Sequence, residues 1–130
     1  AIIQRASEFF ATLTGGRYGR LYRPFGQSTV TVEDLDGSHK TPDQLSRGTK
    51  EQVYLALRLA AIEQTATDHE PLPVIIDEVL VNFDPERSRR AAQAFAEVSA
   101  RTQVIVFTCH PWIANLFADV CDDVGMLELS

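Results

Sequence analysis

Two short apolar runs that each close on polar residues, "PVIIDE" at 73–78 and "QVIVFTCH" at 103–110, constrain this chain more than any other feature. Val74, Ile75 and Ile76 are continuous rather than alternating, the pattern of a strand covered on both faces in a parallel sheet. Between the runs, Asp84, Pro85 and Glu86 supply an N-cap, a first-turn proline and a first-turn acid, so a helix should run to about Ala100. Strand, helix and strand at this spacing form a crossover unit. "PWIANLFADV" reads as a further helix and "GMLEL" as a third short strand, giving an α/β fold with a mainly parallel sheet flanked by helices and an antiparallel N-terminal hairpin as an attachment.

The first half of the chain reads differently. Ile2, Ala6, Phe9, Phe10 and Leu13 fall at helical spacing and "TGG" stops them; strands are expected from Tyr18 to about Phe25 and from Ser28 to Glu33, with "PFGQ" as a hairpin turn. "DLDGSHKTPDQ" is polar loop. A helix over about 49–66 follows, apolar on nearly every face, and Trp112 with the other aromatics reads as core. At 130 residues and 45% hydrophobic content, one domain is the natural size. No run of about 18 uncharged apolar residues and no basic-then-apolar leader is present, so neither a membrane span nor a secretory signal is expected. The opening without Met suggests a piece of something longer. Cys109 and Cys121 lack CxxC spacing and sit in apolar surroundings, which fits a reduced, cytoplasmic setting without a disulfide framework. A formal charge of −6 argues against nucleic-acid binding through the overall field, leaving Arg17, Arg20 and Arg23, interleaved with Tyr18 and Tyr22, as the local basic-aromatic stretch.

In α/β sheets, ligands collect beyond the carboxyl ends of strands. The first apolar run ends in Asp77 and Glu78, the second in His110. Two adjacent carboxylates at a strand end suit a nucleotide hydrolase, one holding Mg²⁺ through its water shell and the other orienting and deprotonating the attacking water. Other chemistries fit poorly. Cys109 beside His110 lacks an oxyanion element and a third partner, His39, His69 and His110 are too scattered for zinc, and "DEVLVNFDPE" does not follow a calcium-loop spacing.

Read in order, "LSRGTKEQVYLALRLA", "PVIIDEVLVNFDPER" and "VIVFTCHP" resemble the signature motif, Walker B strand, D-loop and switch histidine of the C-terminal half of an ABC-type ATPase head. With the lead-in "FFATLTGGRYGRL", the resemblance is to SMC/SbcC/YhaN-like proteins, whose two head halves are separated by a long coiled coil, and it covers the whole chain. It implies that residues 1–130 are the C-terminal lobe of a bipartite head, with 1–14 the end of a coiled-coil helix. It assigns Asp77 to the magnesium shell, Glu78 to general base, His110 to γ-phosphate contact, and Asn82 and Asp84 to the D-loop between two heads. Ser46, Arg47 and Gly48 fall in the signature, which binds the γ-phosphate of ATP held by the opposite head. A helix N-terminus carries unpaired N–H groups, Gly48 admits backbone close to an anion, and Ser46 adds a hydroxyl. The implied partners are the Walker A lobe, a second head of the same kind and DNA, in repair or chromosome maintenance, with no membrane.

Arg47 and Thr49 stand where the common LSGGQ signature has Gly and Gln. Arg47 can bond a phosphate or a nearby acid. No GxxxxGK followed by Ser or Thr occurs anywhere, nor a Q-loop. A dipole end contributes about 0.3 to 1 kcal/mol and two or three charge-assisted bonds about 1.5 to 3 kcal/mol each, against an association cost of about 4 to 15 kcal/mol. Alone, the chain is expected neither to bind ATP tightly nor to hydrolyse it. The alternatives are a degenerate head used for assembly or regulation, and a nucleotide-binding subunit of an ABC transporter.

Overall fold

Gly15 and Gly16, at φ +65° and +77°, end the first helix, α1 (Ile2–Thr14). The Gly16 N–H donates to Ala11 O at 2.9 Å and the Gly15 N–H to Thr12 O at 3.3 Å, the paired closure that a left-handed residue after the last turn permits. The computed structural model describes residues 2–26, 30–77, 80, 83–121 and 124–128. After α1 come strands β1 (Tyr18–Tyr22), β2 (Thr31–Asp34) and β3 (His39–Lys40), a turn of 3₁₀ helix at Pro42–Gln44, and the long helix α2 (Arg47–Asp68). Strand β4 (Val74–Asp77), helix α3 (Pro85–Ser99), strand β5 (Val104–Phe107) and helix α4 (Pro111–Val120) complete the order.

Among the described residues the strands form two sheets. β1, β2 and β3 are antiparallel, with Leu21 opposite Val32 and Val32 opposite Lys40. β4 and β5 are parallel, pairing Val74 with Val104 through to Asp77 with Phe107, joined by α3. α1 packs on both α2 and α3. Its Ala6, Phe9, Phe10 and Leu13 meet Val53, Ala56, Leu59 and Ala60 from α2 and Ala91, Ala92, Phe95 and Val98 from α3 in one core. Burial of each large side chain there stabilises the fold by about 1.5–3 kcal/mol.

Polar groups entering this core are satisfied. Gln52 Nε2 donates to Leu13 O at 2.9 Å, and Thr102 Oγ1 donates to Leu72 O at 2.6 Å, tying the approach to β4 to the turn before β5. Arg5 joins three helices: it donates to Glu63 of α2 at 2.6 and 3.0 Å, to Glu8 at 2.7 Å and to Glu97 of α3 at 3.3 Å. The hydrogen bond to Glu63 dominates in raising the Arg5 pKa above its ordinary value, so the group stays charged throughout the accessible range.

The α/β class and the helix–strand alternation hold, and the first hairpin is antiparallel as expected. Among the described residues the parallel sheet has two strands and the antiparallel sheet is the larger, because His39 and Lys40, read as loop, pair with β2. Residues 124–128 adopt no strand and are exposed. β4 is not covered on both faces: Ile76 is buried at 7% exposure, whereas Ile75 is 66% exposed. α2 has a polar, solvated side, with Tyr54 at 43% exposure, because its buried stripe is only Thr49, Gln52, Val53, Ala56, Leu59, Ala60 and Glu63. Trp112 and Phe107 are 43% and 46% exposed and Phe25 fully so; the aromatics that do form core are chiefly Phe9, Phe10, Phe95 and Phe117.

Candidate functional site

The segment that resembles a signature motif sits at a helix start with its cap made by its own chain. Ser46 is the N-cap of α2: its Oγ accepts from the Thr49 N–H at 3.2 Å and donates to Thr49 Oγ1 at 2.9 Å. The segment is open to solvent, with Ser46 and Arg47 exposed and Gly48 half-buried. Arg47 projects outward at 94% exposure and lies 3.5 Å from Glu51 one turn on. Of the two partners the sequence allowed, an acid is the one seen, in a pair weak enough at that exposure to leave the guanidinium free to swing. Lys50 lies 3.9 Å from Asp43 in the preceding turn.

Gly48 has a partner that sequence reasoning missed. A Cβ built there would overlap the Arg87 guanidinium, with Arg87 Cζ only 2.7 Å away. The close approach the glycine allows in this chain is therefore that of an arginine beneath the segment. Arg87 in turn is 3.6 Å from Asp84, whose carboxylate caps α3 by accepting from the Arg87 N–H at 2.8 Å. One side chain thus joins Asp84 to the signature segment. The available signal was the basic pair Arg87 and Arg90 spaced three apart just after a helix start.

Asp77 and His110 both follow the carboxyl edge of the parallel pair, one ending β4 and the other lying beyond β5. Asp77 is exposed as the last residue of β4, in register with Phe107. His110 follows three residues later as the N-cap position of α4; its N–H donates to Thr108 Oγ1 at 3.0 Å and its ring lies 6.4 Å from Trp112. Glu78 and Asn82 lie outside the described residues. Asp77 suits magnesium as a hard oxygen donor, since Mg²⁺ at nucleotide sites takes one or two carboxylates and leaves the rest of its shell to phosphates and water. Among the described residues, no group of three or more His, Cys, Asp or Glu side chains gathers as a metal cage.

The basic-aromatic stretch divides. Arg20 bonds Glu33 and stacks over Tyr22 at 5.5 Å; that hydrogen bond holds the Glu33 carboxyl below its usual range and raises the arginine. Arg17 lies 5.8 Å over the Tyr18 ring and turns toward α3, lining a pocket with Arg87 and Arg90. Among the described residues, no helix is long and apolar enough to cross a membrane. Cys109 is exposed rather than in apolar surroundings, and Cys121 is half-buried.

No protein-family model matches the chain. It is 33% identical over 117 residues to the uncharacterized protein YhaN of Bacillus subtilis, covering 89% of this chain and 12% of that protein. It is 42% identical over 102 residues to the uncharacterized protein Rv1278 of Mycobacterium tuberculosis, covering 71% of this chain and again 12% of the relative. The chain therefore spans about an eighth of the length of the curated relatives it matches. Among solved structures, it superimposes on one described under "Structural biochemistry of ATP-driven dimerization and DNA stimulated activation of SMC ATPases", with a TM-score of 0.69 and 23% identity. That match covers the whole of this chain and 78% of the other. The SMC head domain from Thermotoga maritima matches with a TM-score of 0.67 and 21% identity over 93% of this chain and 40% of that one.

Proposed function

From a chain that has the fold of SMC ATPase heads and is a sequence relative of YhaN, we propose the C-terminal lobe of an SMC-like ATPase head, working with a Walker A lobe elsewhere in the same protein and with a second head. The supporting observation is the open β4–β5 face. Ile75 and Phe107 lie exposed on two adjoining parallel strands whose carboxyl edge carries Asp77, an apolar surface in need of cover directly beside a magnesium-compatible carboxylate.

Asp77 would hold magnesium through its water shell, and the ion would supply charge neutralisation to the nucleotide's phosphates. Glu78 orients the attacking water and takes its proton. His110, at the head of α4, contacts the γ-phosphate and reports its presence. Ser46, Arg47 and the Gly48 backbone meet the γ-phosphate of the nucleotide on the opposite head, while Asn82 and Asp84 line the seam between heads. Hydrolysis then parts the heads and moves the coiled coils that α1 ends. DNA is the partner for which this motion serves repair or chromosome maintenance, in the cytoplasm.

The test is phosphate release by the complete protein and its Glu78→Gln variant. Loss of a positioned general base lowers turnover by about 10²–10⁴-fold. Equal rates would remove Glu78 from that role and favour a head retained for assembly.

A further inference from the structure

Behind the signature segment lies a pocket that none of these roles uses. Its walls are Thr14 at the end of α1, Arg17 and Tyr18 at the start of β1, Thr49 and Gln52 on α2, and Arg87 and Arg90 on α3, around a volume of about 40 Å³. A water needs about 10–15 Å³ by the same measure, so the space takes one phosphoryl group but no nucleoside.

We infer that this pocket binds one tetrahedral oxyanion, orthophosphate or the terminal phosphoryl group of a polyphosphate, through Arg17, Arg87 and Arg90. Two of the three guanidiniums are seated against bare backbone. A Cβ at Gly15 would lie 2.5 Å from Arg90 Cζ, and one at Gly48 would overlap Arg87, so glycines on two different elements make room for arginines from one helix. Carboxylates offset part of this charge: Glu86 is 2.6 Å from Arg90 and Asp84 is 3.6 Å from Arg87. Arg17 takes part in no ion pair among the described residues, which leaves three guanidiniums against two carboxylates in a chain whose formal net charge is −6. Planar guanidiniums converging on a small polar space match the forked acceptors of a phosphate. Thr49, whose Oγ1 accepts from Ser46, has its own hydroxyl proton to donate. Because Arg87 also underlies Gly48, an anion here fixes the back of the signature segment, a consequence that rests on the function proposed above; binding itself does not.

The experiment uses the complete protein, free of nucleotide and magnesium, titrated with sodium orthophosphate and separately with inorganic tripolyphosphate at constant ionic strength, followed by calorimetry. Beyond the phosphate binding of the Walker A loop elsewhere in the same protein, which substitutions in this pocket leave in place, one further saturable site per chain is expected. Arg17→Gln, an exposed position that leaves the core untouched, and Arg90→Gln should each weaken it by about tenfold or more, as loss of one charge-assisted bond requires. Arg101→Gln, at an exposed arginine beyond the end of α3, should leave it unchanged. Saturation by orthophosphate assigns free phosphate; saturation by tripolyphosphate alone, still weakened by Arg17→Gln, assigns a terminal phosphoryl group. Absence of saturable binding in the wild type, or a number of sites and affinities left unchanged by both Arg17→Gln and Arg90→Gln, overturns the assignment. None of these outcomes depends on ATP turnover, so failure here and failure of the ATPase reading are separately visible.

Discussion

The helical half of the molecule and its parallel sheet differ in how far they complete themselves. α1, α2 and α3 close a core in which Phe9, Phe10, Leu13, Leu59 and Val98 are essentially inaccessible, and every buried side-chain polar atom among the described residues has a partner. The β4–β5 pair buries Ile76 on one face and leaves Ile75 and Phe107 to water on the other. Two parallel strands with an exposed apolar face make an unusual end state, because such strands are ordinarily covered on both sides. The difference separates what this chain stabilises for itself from what it offers to another segment.

The largest effect on the self-sufficient half should come from Phe9→Ala, at about 3–5 kcal/mol for truncating a buried aromatic. Urea unfolding monitored by circular dichroism measures it, and a shift below about 1 kcal/mol would mean that α1 is not integral to the core. Ser46→Ala, which removes the α2 cap, should cost about 1 kcal/mol. That small loss, set beside ATP turnover in the complete protein, separates capping from phosphate contact: a role in capping alone leaves the rate unchanged at temperatures where the variant is folded. Ile75→Ser should change the stability of this chain by no more than about 0.5 kcal/mol, as an exposed position does, yet lower the melting temperature of the complete protein. Equal effects in both would erase the contrast between the two halves.

The smallest expected effect concerns the antiparallel sheet. Glu33 titrates below its ordinary range because Arg20 bonds it, so the pair contributes stability above the unfolded carboxylate pKa and loses it as pH falls through the depressed folded value. Arg20→Gln should flatten that acidic limb of a stability-versus-pH curve slightly. The pair is too exposed for more.

What the sequence made legible follows the same division. α3, opened by a capping aspartate and a proline, α4, opened by a proline, and α1, stopped by its glycines, were readable because local chemistry decides them. β3 was not, since two residues of polar loop become strand only where β2 presents an edge. The apolar run at 74–76 led to an expectation of cover on both faces that this chain does not meet, because a pattern of side chains cannot say whether the cover is built by the same segment. At the candidate site, the strand-end position of Asp77 and the helix-start position of Ser46 were legible. The seat of Arg87 beneath Gly48 was not, because it depends on where two helix starts meet in space.

Trans composition of the nucleotide site is tested most directly by mixing two complete proteins, one carrying Ser46→Arg and the other Glu78→Gln. Each alone should be nearly inactive. When their heads exchange freely, half the dimers are mixed and each has one intact site of two, so the mixture should recover about a quarter of the wild-type rate. A mixture no faster than the sum of its parts, with exchange verified, would contradict the claim that each site joins the water-activating edge of one head to the signature segment of another.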